Sequence, residues 1–174
     1  MTKEDLIELL DSWENMEIMV KKIINNPNYF RLLLDIALYN KEQKSWRAAY
    51  VVDKIHDITP ELLLPFLDEM TLQLKEEKNS SKKRHFLKLI SMNTIAKKHQ
   101  VFLVDYCLIT LKSDKEPPAV RVHAMQILFN ISENEPELKS EILAAIEHEM
   151  RYHSTAGIIS RGSKLAKKLR NYIP

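Results

Sequence analysis

Apolar residues along the 174-residue chain recur at helical spacing, and no stretch sustains the strict alternation of a strand. Leu6, Leu9 and Leu10 mark a first helix. Thr2 stands at its N-cap and Asp5 in the capping-box position. Ile18, Met19, Ile23 and Ile24 predict a second helix over about 13–25, closed by Asn26-Pro27. The third, to about Tyr39, carries Phe30, Leu32, Leu33, Leu34, Ile36, Ala37 and Leu38, and so needs neighbours on both flanks. Trp46–Asp57 follows, then a helix capped by Thr59 with Pro60 at N1 and Glu61 in the first turn. Pro65 conflicts with that start, so the pattern predicts a kink or a regular helix beginning only near Leu63. Helices over about 83–96, 101–112 and 119–131 come next, then one opening at Pro136 and a last over about 155–171. The sum is nine or ten helices and no sheet.

These segments repeat. Ala119-Val-Arg-Val-His-Ala-Met-Gln-Ile-Leu-Phe-Asn-Ile131 has the shape of Ser45-Trp-Arg-Ala-Ala-Tyr-Val-Val-Asp-Lys-Ile55. Lys83-Arg-His-Phe-Leu-Lys-Leu-Ile90 and Ser160-Arg-Gly-Ser-Lys-Leu-Ala166 are weaker copies. Their arginines, Arg47, Arg84, Arg121 and Arg161, lie 37, 37 and 40 residues apart. A fixed period of this size signals a stacked helical array. Seven residues before each arginine stands an acceptor: Asn40, Glu77, Asp114 and Ser154. The phase predicts a structural arginine that ties a carboxylate or turn carbonyls to the neighbouring unit. The competing reading is a row of phosphate-binding arginines.

Val120-Arg121-x-x-Ala124, Trp46-Arg47-Ala48-Ala49 and the Pro-Glu-Leu starts at Pro60 and Pro136 resemble HEAT repeats over roughly residues 14–172. The copy at 83–90 departs by lacking the small residue after its arginine, and the last has Gly162 and Ser163 there. The resemblance implies an all-α fold, an α-α superhelix of about four to five helix pairs, forming a single domain over 1–174. It also implies a concave face lined by the second helix of each pair. HEAT-like arrays mostly bind proteins, while one branch forms alkylpurine DNA glycosylases.

Composition narrows the function. Two glycines leave no room for phosphate-cradling glycine loops, and nothing else implies a cofactor. The single cysteine, Cys107, forms no internal bridge. With no apolar signal segment behind the charged start, a cytoplasmic protein is expected. The densest apolar run, Val101–Leu111, contains Asp105 and is too short to span a bilayer. The net charge of +2 conceals a polarity. Residues 1–80 carry 10 Lys/Arg against 15 Asp/Glu; residues 81–174 carry 16 against 9. From Arg151 onward there are six basic residues and no acidic one.

On a helical projection of the last segment, Ile158, Ile159, Gly162, Leu165, Ala166 and Leu169 share one side. Arg161, Lys164, Lys167 and Lys168 share the other. This face is either the polar end cap that a repeat array requires or a binding surface for an anionic partner. Lys82, Lys83, Arg84 and Lys88, with Lys97, Lys98 and His99, either extend the same surface or are merely solvated turns. Asp105, alone in an apolar helix, needs either a cationic partner or a cleft in which it touches a ligand. Asp35, Asp68 and Glu69 are candidates for the same face. His148 and His153 have zinc-like company in Glu149, but spacing of five puts them about 140° apart on a helix, so no metal site is expected. Trp13 and Trp46 lie in the acidic half, far in sequence from the basic end, and are expected to pack rather than stack on bases. No nucleophile–base pair appears. The sequence points to a non-enzymatic scaffold that binds another protein through its concave or C-terminal surface. The alternative is a nucleic-acid-binding or repair protein of the glycosylase type.

Overall fold

The computed structural model describes residues 1–172, and every regular element among them is helical. Ten α-helices follow one another: α1 Lys3–Leu9, α2 Asn15–Asn25, α3 Phe30–Tyr39, α4 Trp46–His56 and α5 Leu67–Gln73 in the first half. The second half has α6 Ser80–Ser91, α7 Lys97–Lys112, α8 Pro118–Ser132, α9 Lys139–Tyr152 and α10 Ala156–Arg170. Positions 173 and 174 of the expected 1–174 domain lie outside the described residues.

Local chemistry sets the boundaries. Asp5 N–H donates to Thr2 Oγ1, and Thr2 N–H returns a bond to the Asp5 carboxylate, closing the expected capping box of α1. Pro27, Pro60 and Pro136 each open a short 3-10 turn rather than entering an α-helix directly. Thr59 does not cap through its side chain. Pro65 sits in a second 3-10 turn, Leu64–Phe66, so regular helix begins only at Leu67. This is four residues later than expected: proline removes a helical hydrogen bond, and the tighter 3-10 pattern absorbs the loss. Among the described residues none has positive φ, so no helix ends on a left-handed glycine.

The chain divides into two compact units, Met1–Leu89 and Ile90–Pro174. In the first, α1 packs on α3, α2 on α4, and α3 against α4. Its core includes Leu6, Met19, Ile23, Leu33, Leu34, Ile36, Val52 and Ile55, all buried. Arg31 ties α3 to α5 through a bidentate pair with Glu69 (2.6 and 2.9 Å), and also reaches Asp35 at 2.7 Å. The Arg31 guanidinium holds the Glu69 carboxyl below its usual range, so Asp35 and Glu69 are spent on structure. In α4, Asp53 bridges to α6: His85 Nδ1 lies 2.9 Å and Lys88 Nζ 2.6 Å from its two oxygens. Trp13 and Trp46 pack as expected, ring centroids 5.5 Å apart, with the Arg47 guanidinium over Trp13.

In the second unit α7 pairs with α8 and α9 with α10, while α7 also packs on α9 and α8 on α10. Each helix thus meets its pair partner and the equivalent helix of the next pair, the contact plan of a helical repeat. Gly162 allows the close crossing of α10 over α9, for a Cβ there would approach Met150 Sδ to 2.7 Å.

Candidate anion-binding groove

The α10 helix buries Ile158, Gly162, Leu165, Ala166 and Leu169 against its neighbours. That leaves Lys164, Lys167 and Lys168 exposed on its outer side. Ile159, expected with the apolar set, is 40% exposed instead. Thr155 caps the helix, its Oγ1 accepting the Ile158 N–H. Its C-terminal turn is rich in cations, which suits the negative end of the helix dipole.

Between α8 and α10 lies an open groove of about 550 Å³ lined by Gln126, Arg161, Lys164, Leu165, Lys167, Lys168 and Asn171. No carboxylate is among these described lining residues. Two of the cations are positioned. Arg161 Nη1 donates to Gln126 Oε1 at 2.6 Å. Lys168 Nζ sits over the Phe129 ring, 5.4 Å from its centre. Gln126 in turn donates to Asn130 Oδ1, and Asn130 to the Ser91 carbonyl. This polar ladder fixes Arg161 without neutralising it, since an amide oxygen carries no charge. The four sequence-predicted residues Arg161, Lys164, Lys167 and Lys168 therefore come together around one concavity. Arg170 does not join them, because Glu147 holds it in an ion pair.

Of the other basic candidates, Arg84, Lys97 and Lys98 are exposed, while Lys82, Lys88 and His99 turn inward or pair off. Lys82 is buried, donates to the Asn40 carbonyl at the end of α3 and lies 3.6 Å from Glu77. Burial pushes its ammonium below the ordinary lysine value, with Glu77 opposing the shift. Lys88 is spent on Asp53, and His99 is buried. Lys82, Lys88 and His99 are thus taken up within the fold.

Asp105 lies on the exposed side of α7, not in a cleft. The buried stripe of that helix is Leu103, Cys107, Thr110 and Leu111, and two residues past Leu103 points about 200° away from it. Val101 and Ile109, four residues to either side, are 77% and 73% exposed. Solvent supplies what the sequence suggested a partner must.

Two of the phased arginines act structurally, with other acceptors than those seven residues back. Arg47 Nη1 donates to the Leu10 and Asp11 carbonyls at the end of α1, both at 2.7 Å. Arg84 is exposed; the inward stripe of α6 carries Lys82, His85, Phe86 and Leu89, and Lys82 does the work of the arginine. Arg121 is buried, gives its Nε–H to the Leu111 carbonyl at 2.8 Å and forms an ion pair with Glu149. The pairing of Glu149 with Arg121 is not anticipated by the sequence reading. The signal of Glu149 was its place in the apolar stripe Ile142, Ala145, Ile146, Glu149, where it is 0% exposed.

His148 and His153 do not diverge. α9 ends at Tyr152, and His153, off the helix at φ −131° and ψ 44°, folds back. Its Nδ1 lies 2.8 Å from Glu149 Oε2, and His148 Nδ1 lies 3.0 Å from Oε1.

The family model described as a HEAT repeat domain matches residues 3–169. Neither the curated proteins nor the solved structures contain a match. No described helix is long and apolar enough to cross a membrane.

Proposed function

Because the chain belongs to the HEAT repeat domain family, we propose that it is a protein-binding scaffold whose α8–α10 groove receives an acidic segment of a partner protein. The observation that carries this reading is the convergence of Arg161, Lys164, Lys167 and Lys168 on a groove with no lining carboxylate and with Leu165 at its floor. The cations span eight residues of helix, about 10 Å along the axis. That length matches about three residues of extended chain, enough for two carboxylates on one side. An apolar side chain between them would meet Leu165.

Nucleic acid fits the row less well. Duplex-binding proteins commonly neutralise about 6–10 phosphates, and here Glu147 removes Arg170 from the row. The lone buried cysteine supports a cytoplasmic site of action.

The test is the charge-reversed variant Lys164→Glu/Lys167→Glu/Lys168→Glu. Its apolar side is unchanged, so the cost to folding is about 1 kcal/mol, from the opposed helix dipole and repulsion among the new carboxylates. A partner captured from native lysate after nuclease treatment, then purified, should bind the variant at least about tenfold more weakly, mainly through slower association. Captured material that vanishes with nuclease, and a parent whose duplex affinity falls steeply with salt, would establish the nucleic-acid reading instead. A variant that keeps every partner would reduce the face to an end cap.

A further inference from the structure

We propose that His148, Glu149 and His153 form a binding site for a zinc-type divalent transition ion at the end of α9. The inference is independent of the groove. One nitrogen from each imidazole and one carboxylate oxygen lie within 4.8 Å of one another. Two imidazoles and a carboxylate are a donor set that suits Zn²⁺, and four-coordinate zinc takes such ligands at about 2.0–2.2 Å. Neighbouring ligand atoms around it are then about 3.3 Å apart, by the geometry of a tetrahedron of that radius. Each ring already lies within a few tenths of an ångström of that spacing from one carboxylate oxygen, 2.8 Å from His153 Nδ1 to Glu149 Oε2 and 3.0 Å from His148 Nδ1 to Oε1, and the remaining edges fall within 4.8 Å, so the exposed rings must close on a shared ion.

The supports around the site are those a ligand set needs. Glu149 is oriented by its ion pair with Arg121, which is itself anchored on the Leu111 carbonyl. A hydrogen-bonded carboxylate of this kind is the usual outer support of a metal ligand. The two rings are the adjustable parts. The side chains of His148 and His153 are 57% and 37% exposed, so each moves its proton to the outward Nε2 at no burial cost. The Nδ1 lone pairs then face the ion, and the fourth position opens to solvent. Arg121 cancels the charge of Glu149, so affinity rests on the ligand set rather than on net attraction. It should be moderate, and strongest for the ions that favour imidazole, Cu²⁺, Ni²⁺ and Zn²⁺. Bound there, the ion would fasten the turn between α9 and α10.

The experiment titrates the full-length, tag-free chain with Zn²⁺ by calorimetry, and with Co²⁺ by visible absorption. The expected result is one ion per chain, a low-symmetry Co²⁺ spectrum that Zn²⁺ abolishes, and affinity at least about tenfold weaker in His148→Ala and in His153→Ala. The metal-free variants should melt with the parent, because neither ring is buried. His153→Cys, which restores a zinc ligand, should regain binding, a result that an unfolded chain would not give. Absence of stoichiometric uptake by the parent, or equal uptake by parent and both alanine variants, overturns the proposal.

Discussion

Arg121→Ala should lower the unfolding free energy by about 3–5 kcal/mol, the range for removing one partner of a buried ion pair. The loss comes less from the missing contact than from what remains. Glu149, with no exposed surface, is left beside Ile142, Ala145 and Ile146 without the guanidinium that pairs with it. The Leu111 carbonyl at the end of α7 loses its donor as well. Urea titration of parent and variant measures the effect. The double variant Arg121→Met/Glu149→Leu discriminates between causes. If the damage is an orphaned buried charge, the double variant should recover most of the stability, because an apolar pair of similar volume does not carry the desolvation cost. A double variant as unstable as the single one would refute this account.

Asp53→Ala should cost about 2–3 kcal/mol by leaving the buried His85 N–H without its acceptor. Lys88 suffers less, since Asp57 stands 3.6 Å away. The acid limb of the stability curve carries a second signature. Burial alone would raise the Asp53 pKa, but the hydrogen bonds from His85 and Lys88 and their charges outweigh it, and the carboxyl ends below its ordinary 3.8. A depressed folded-state pKa contributes stability that is complete above the unfolded value and is lost as pH falls through the folded one. The stability gap between parent and Asp53→Asn should therefore be widest near neutrality and close progressively below about pH 4. A gap that stays constant to pH 2 would mean that the carboxylate charge contributes nothing.

Much of the fold was legible because its signals were local. Thr2 and Asp5 sit three residues apart, and the prolines at 27, 60, 65 and 136 mark starts and breaks that the backbone obeys. Polar first turns are quieter. α7 begins at Lys97, four residues before its apolar run, since a helix's first turn needs no burial. The site residues divide in the same way. The basic row on α10 follows from one helix's own projection. Asp105 was misplaced because adjacency to apolar residues in sequence says little about which side of a helix faces solvent. His148 and His153 were separated by applying ideal helical rotation one residue past the end of α9, where it no longer holds. The phase of Arg84 failed through a register effect: α6 starts at Ser80 and turns Lys82 and His85 inward. The pairing of Arg121 with Glu149 joins residues 28 apart and has no local signal beyond a carboxylate in an apolar stripe.

The placement of the rare chromophores and the lone thiol gives the protein two built-in reporters. Both tryptophans lie in the unit Met1–Leu89, packed at a tilt against each other with Tyr50 edge-on to Trp13. Their emission therefore follows that half of the chain. Cys107 lies in the other unit, fully buried, and burial raises its thiol far above the ordinary value, so it stays unreactive until its surroundings open. Fluorescence and thiol-labelling, followed side by side through a urea series, read the two halves separately without any engineered label. If 1–174 behaves as the single domain its repeat pattern suggests, the two transitions should share one midpoint and one slope. Distinct midpoints would make the chain two cooperative blocks, each with its own probe already in place.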